Sequence, residues 1–152
     1  TADDIRRTDQ NRSASFLYSL YMNTQILPMS DQIFLVQSEI IRDLAEHGPC
    51  VIVGRCADYI LRNKAYCMNV FIHAPLAQRI TRAVEEYKDE ASNMEDYIRK
   101  QDKRRASYYN YFSQNKWGSA QNYHLSISSS FGISETVDLL KTAAMKFPGG
   151  AN

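Results

Sequence analysis

Five arginines and two aspartates have the chemistry and the spacing for handling phosphate. Asp102 and Arg105 lie three residues apart in QDKRRASYYNYFSQNKWG, residues 101–118, so a helix would put both on one face. A carboxylate that holds an arginine preorganises the guanidinium for the charge that develops during phosphoryl transfer. The same spacing also makes an ordinary surface ion pair. Arg104, next to Arg105, points in a different direction on such a helix and is free to reach outward. Arg79 and Arg82 share a face at the same spacing, just after an apolar run, where they either contact a nucleotide or solvate the helix. Gly54-Arg55 follows another apolar run. Glycine allows a sharp turn, and the guanidinium fork suits phosphate or a pyrimidine edge. Asp58, one helical step on, is placed to hold that arginine or to accept hydrogen bonds from a base or a sugar. Ligands of open α/β sheets bind beyond the carboxyl ends of the strands, which is where these residues fall in the chain order.

Tyr108, Tyr109, Tyr111, Phe112 and Trp117 interleave with Arg104, Arg105 and Lys116, a mixture found on single-stranded nucleic-acid platforms. Eighteen basic against seventeen acidic residues leave a net charge of +1, so no global field recommends a nucleic acid or a membrane as partner. The rings are therefore expected to pack the base of a mobile segment, with some lining a small-molecule cleft. Residues 101–118 are a candidate lid, with Ser113, Gln114, Asn115 and Gly118 as its tip. His47, His73 and His124 are scattered, and Cys50, Cys56 and Cys67 are odd in number without CxxC spacing. That pattern supports no catalytic triad, zinc site or disulfide framework.

The elements that must position these side chains follow from periodicity. Short apolar runs predict strands at Cys50–Val53, Met68–Ile72 and Leu125–Ser128, the first of them buried on both faces. Ser30 and Asp31 offer N-cap chemistry for a helix bearing Ile33, Val36, Ile40, Ile41 and Leu44 and ending at Gly48-Pro49. Pro75 introduces a helix with Leu76, Ile80, Ala83 and Val84 on one stripe. Ser92 and Glu95 fit a capping box that opens a helix running through Arg105. Ile133, Val137, Leu140 and Ala144 mark a last helix, and Ser13–Met22 reads as a short helix or packed arm. This order predicts an α/β fold, a parallel sheet flanked by helices with right-handed crossovers. Its 152 residues, 44% hydrophobic and 23% charged, suit one globular domain. With no apolar run of spanning length and a polar opening, a cytoplasmic protein is expected.

GPCVIVGRCADYIL at 48–61 and DKRRASYYNYFSQNKWGSAQNYHLSISSS at 102–130 closely resemble the cytidylate-kinase-like family, within the P-loop nucleoside-monophosphate kinase superfamily. NVFIHAPLAQRITR and GISETVDLL resemble the strand, arginine-bearing helix and final helix of that family. The resemblance implies a three-layer architecture and transfer of the ATP γ-phosphoryl group to a nucleoside monophosphate, CMP among the candidates, with ATP and Mg2+ required. It implies that Arg55 contacts the acceptor nucleotide and that Arg79 and Arg82 belong to the nucleotide-contacting helix before the lid; Asp58 joins them as a candidate substrate-binding residue on its placement alone. Asp102 and Arg105 match the lid-flanking Asp-x-x-Arg, with Arg104 beside them. Two departures stand out. Cys56 takes the place where cytidylate kinases proper continue Gly-Arg with Asp, which leaves the acceptor base open. No GxxxxGK loop followed by Ser or Thr occurs in the sequence, so the first strand and the donor-phosphate cradle are expected in a segment upstream of Thr1. The other readings are a noncatalytic nucleotide-binding or regulatory module of the same fold, and a P-loop kinase for another small acceptor.

Overall fold

The computed structural model describes residues 27–88 and 91–149, so the proposed arm Ser13–Met22 lies outside the described residues. The chain divides into two compact units, Thr1–Ala57 and Asp58–Asn152. Across the described residues the fold is helix-rich α/β with a small parallel sheet.

In the first unit, α1 spans Met29–His47. It starts earlier than Ser30 and Asp31 suggested, because Pro28 is the cap: its carbonyl accepts the N–H groups of Asp31 at 3.0 Å and Gln32 at 3.2 Å. No side chain caps the helix. Ser30 Oγ donates instead to the Asp31 carboxylate at 3.0 Å, and Asp31 in the first turn suits the helix dipole. Within α1, Ser38 and Ile41 are buried whereas Ile33, Val36, Ile40 and Leu44 are exposed. Of the apolar stripe expected from the sequence only Ile41 is buried, on the same side as Ser38.

Cys50–Val53 is not a strand: it has no ladder partner among the described residues, with Val51 94% and Val53 87% exposed. β-branched composition favours extended backbone, but a strand also needs a ladder partner for its N–H and C=O groups. The turn that follows is as tight as the sequence demanded: Gly54, Arg55 and Cys56 have φ of 72°, 55° and 56°. Ala57 N–H closes it on the Gly54 carbonyl at 3.1 Å. Left-handed conformation costs about 1–2 kcal/mol at each non-glycine residue; the Cys56 side chain that follows from it is buried. The short helix α2, Ala57–Ile60, comes next.

In the second unit, β1 (Val70–His73) and β2 (Leu125–Ser128) pair in parallel, Val70 opposite Leu125 and His73 opposite Ser128. The strand at Leu125–Ser128 is as expected, and the Met68–Ile72 run forms its strand two residues later. A parallel pair needs a long crossover, here α3 (Leu76–Glu85) and α4 (Met94–Ser113), which pack on each other. Pro75 caps α3. Asn93, not Ser92, caps α4: its Oδ1 accepts the Asp96 N–H at 3.1 Å and its Nδ2 donates to the Asp96 carboxylate at 2.8 Å. The expected cap is thus shifted by one residue, and its second bond runs between the Asn93 and Asp96 side chains rather than back to the cap's own N–H. Gln114, left-handed at φ 59°, stops the helix. The last helix, α5, spans Ile133–Lys146. Ile60, Leu61, Ala83, Ile98, Tyr109 and Ile127 form the buried core of this unit. Ile72 stays 52% exposed, so β1 is not covered on both faces among the described residues.

Candidate functional site

The site grows from the packing of α3 on α4. Leu76 follows β1 after only Ala74 and Pro75, so the first turns of α3 stand at the carboxyl end of that strand. Arg79 and Arg82 project one turn apart. From α4, Asp102 and Arg105 do the same. Arg79 grips Asp102 with both guanidinium nitrogens, Nη1 to Oδ2 at 2.6 Å and Nη2 to Oδ1 at 2.8 Å, the forked geometry that makes arginine pairs with carboxylates strong. Arg105 Nη2 also bonds Asp102 Oδ1. One carboxylate thus lies between two guanidinium groups and leaves a net positive site. Burial pushes the Asp102 pKa up, but the hydrogen bonds and charges of Arg79 and Arg105 outweigh it and hold the carboxyl below its usual range.

Arg82 reaches the strand ends. Its Nη1 donates to Ser129 Oγ at 3.5 Å, and that hydroxyl donates in turn to the His73 carbonyl at 3.4 Å. Its Nε is buried without a hydrogen-bond partner, since the Glu86 carboxylate stands 3.8 Å away. Asp58 does not stand alone either: Tyr109, buried on α4, donates its hydroxyl to Asp58 Oδ2 at 2.7 Å. Burial first, then the neighbouring Asp58 and the hydroxyl of Tyr123, push the Tyr109 pKa far up. Arg104 is exposed and makes no ion pair among the described residues. Arg55 belongs to the first unit, where it is exposed in its left-handed turn. The structure therefore joins Arg79, Asp102 and Arg105, sets Arg82 at the strand ends, and ties Asp58 to Tyr109.

Two partners were not assigned these places from the sequence. Arg79 was read as a neighbour of Arg82 alone, and its bond to Asp102 spans 23 residues. The sequence places Trp117 among rings that pack the segment or line a cleft, without an arginine partner, yet the Arg105 Cζ stands 5.5 Å from its ring centroid. That contact depends on the turn at Gln114–Gly118, where Trp117 N–H donates to Asn110 Oδ1 at 2.7 Å. The Asn110 side chain is the one local signal that could have pointed to it. Residues 101–113 of the candidate lid are helical, and Ser113 within its proposed tip is buried, bonded to the Tyr109 carbonyl at 2.6 Å.

No group of three or more His, Cys, Asp or Glu side chains among the described residues could hold a metal ion, and Arg79 and Arg105 take up the oxygens of Asp102. The described residues thus do not fit a Mg2+ site of their own. Among the described residues no helix is long and apolar enough to cross a membrane.

Comparison with known proteins agrees with this architecture. A solved structure described as an uncharacterized protein from Eubacterium ventriosum ATCC 27560 is 27% identical, with a TM-score of 0.70 over 82% of this chain and 70% of that chain. No curated protein matches. The sequence profile of the cytidylate kinase-like family matches residues 1–131, most of the chain and the whole of the arginine constellation, and the protein belongs to that family.

Proposed function

We propose that the protein is a nucleoside-monophosphate kinase, transferring the ATP γ-phosphoryl group to a nucleotide monophosphate, with CMP the first acceptor to test. The observation that carries this reading is the grip of Asp102 on Arg79 and Arg105 from two helices at the carboxyl end of β1. In the transfer, an oxygen of the acceptor phosphate forms a bond to the γ-phosphorus as the bond to the β,γ-bridging oxygen breaks and ADP leaves. Negative charge spreads over the equatorial oxygens, so the work of the protein is positioning and charge stabilisation. Arg79 and Arg105 donate to those oxygens, Asp102 sets their directions, and Arg104 is the further cation on the same helix. Arg82 and Asp58 contact the acceptor nucleotide, and the guanidinium of Arg55 in the Gly-Arg turn has the chemistry for the same class of ligand. Residues 101–118 act as the lid, with α4 as its arm and Gln114–Gly118 at its tip. The partner is a nucleotide in the cytoplasm, not a nucleic acid or a membrane.

The test combines ATP, magnesium and a panel of nucleoside monophosphates with the full chain and follows diphosphate formation. Wild-type turnover that falls by about two orders of magnitude in Arg79→Ala and Arg105→Ala supports the assignment, the loss expected for removing a preorganised charge donor. Nucleotide binding without turnover would favour the noncatalytic module, and turnover with a different small acceptor the third reading.

A further inference from the structure

Arg105 is held from two sides, and only the Asp102 side follows from the Asp-x-x-Arg spacing. The other side is the indole of Trp117, whose face the guanidinium overlies with Cζ 5.5 Å from the centroid. Trp117 is itself fixed. Its backbone N–H is held by Asn110 Oδ1, and its ring meets Phe71 of β1 edge to face at 5.4 Å and 84°. Phe71 in turn lies against Tyr123 at 5.0 Å. Gly118, at φ 73°, lets the turn approach so closely that a Cβ there would stand 3.1 Å from the Phe71 ring. A continuous stack therefore runs from the sheet through Phe71 and Trp117 to a guanidinium that is itself 57% exposed.

We propose that Trp117 is a positioning residue for Arg105 and that the contact senses a phosphate ligand. The proposal rests on the reading that Arg79 and Arg105 receive phosphate. An exposed arginine samples many rotamers, and ordering it opposes binding. The indole face attracts the cation without using any of its N–H donors. The guanidinium is thus kept near Asp102 while its donors stay available to exchange the carboxylate for a phosphate oxygen. The ligand class is a phosphate monoester or a pyrophosphate. Lysine would not substitute, because the planar guanidinium stacks on the ring and donates in its own plane.

Trp117 is the single tryptophan of the chain, so its emission reads this contact directly. The full chain is titrated with CMP and, separately, with inorganic pyrophosphate, following tryptophan emission and binding heat in parallel. Each anion is expected to change the emission with the same midpoint as the heat. Trp117→Phe, which keeps a ring, should bind pyrophosphate within about twofold of wild type, whereas Trp117→Leu should bind about three- to fivefold more weakly. Thermal unfolding of both variants checks that they are folded. Should Trp117→Leu fail to fold, Arg105→Gln in the otherwise intact chain is expected to abolish the emission response. Binding heat without any emission change, or equal losses in the Phe and Leu variants, would overturn the positioning role and leave the phosphate site standing. Neither heat nor emission change with either anion would overturn both.

Discussion

Replacing Asp102 by Asn is the sharpest perturbation of this protein, because one carboxylate serves two arginines from two helices. The bond to Arg79 is bidentate at 2.6 and 2.8 Å, and both side chains are only 28% exposed, so solvent screens it little. Hydrogen bonds to charged groups contribute about 1.5–3 kcal/mol net. The bond to Arg105, a residue 57% exposed, adds about 0–1 kcal/mol after screening. Asparagine keeps one acceptor oxygen but loses the charge, so Asp102→Asn is expected to lose about 2–3 kcal/mol. For a chain of this length that lowers Tm by roughly 4–10 °C. The pH dependence gives an independent check. The folded pKa of Asp102 lies below its unfolded value, so the stabilisation is fully present above the unfolded pKa and fades as pH falls through the folded one. The gap between wild type and variant should therefore be full near neutrality and close progressively below about pH 4. Thermal melts of both proteins across that range are the assay. Equal Tm values at neutral pH, or a gap that persists in acid, would refute the reasoning.

Tyr109→Phe removes the hydroxyl bonded to Asp58 at 2.7 Å and should cost about 1.5–3 kcal/mol, measurable by denaturant titration. Because the folded pKa of Tyr109 is raised, its contribution is present below the unfolded pKa near 10 and is lost as pH rises further. In ultraviolet titration one of the ten tyrosines should keep its proton after exposed ones have ionised, and that slow class should vanish in the variant. Asn93→Ala should cost about 1 kcal/mol through the lost cap while Ser92→Ala changes stability little; equal effects would return the cap to Ser92. If residues 101–118 are the lid, amide exchange across Arg104–Trp117 slows when CMP and ATP are added and hardly changes along Val70–His73. Unchanged exchange with every nucleotide would make that segment a fixed packing element.

Local chemistry was the legible part of this sequence. Helix α3 after Pro75, the strand Leu125–Ser128 and helix α5 all appear where periodicity places them, because each carries its signal within a few residues. The cap of α4 was legible to within one residue: serine and asparagine side chains can both accept a backbone N–H, and here Asn93 does so while also donating to Asp96. Strand formation at Cys50–Val53 was not legible in the same sense. A preference for extended backbone is intrinsic to Val and Ile, but a ladder depends on a neighbour, and a run of β-branched residues says nothing about which segment pairs with it. Arg79 with Asp102 and Arg105 with Trp117 were illegible for a similar reason. Both depend on how a crossover and a turn bring separate segments together.

The arrangement around Asp102 also ranks the two arginines. Arg79 is anchored on α3, joined by two short bonds and mostly screened from water. Arg105 sits on α4 with Asp102 itself, holds one oxygen and is largely exposed. The Arg79 bond therefore ties α4 to α3, whereas the Arg105 bond ties α4 only to itself. If the end of α4 moves over a ligand, Arg105 is the arginine that can leave Asp102 with the weaker loss, and Arg79 is the fixed post. A phosphate that took over both donors would have to replace the stronger fork as well. Binding and closure then separate by residue: Arg105→Ala should weaken ligand affinity without altering α3–α4 packing, whereas Arg79→Ala should loosen that packing even in the absence of ligand. Amide exchange along α4 in the two variants distinguishes these outcomes, and faster ligand-free exchange in Arg105→Ala than in Arg79→Ala would reverse the ranking.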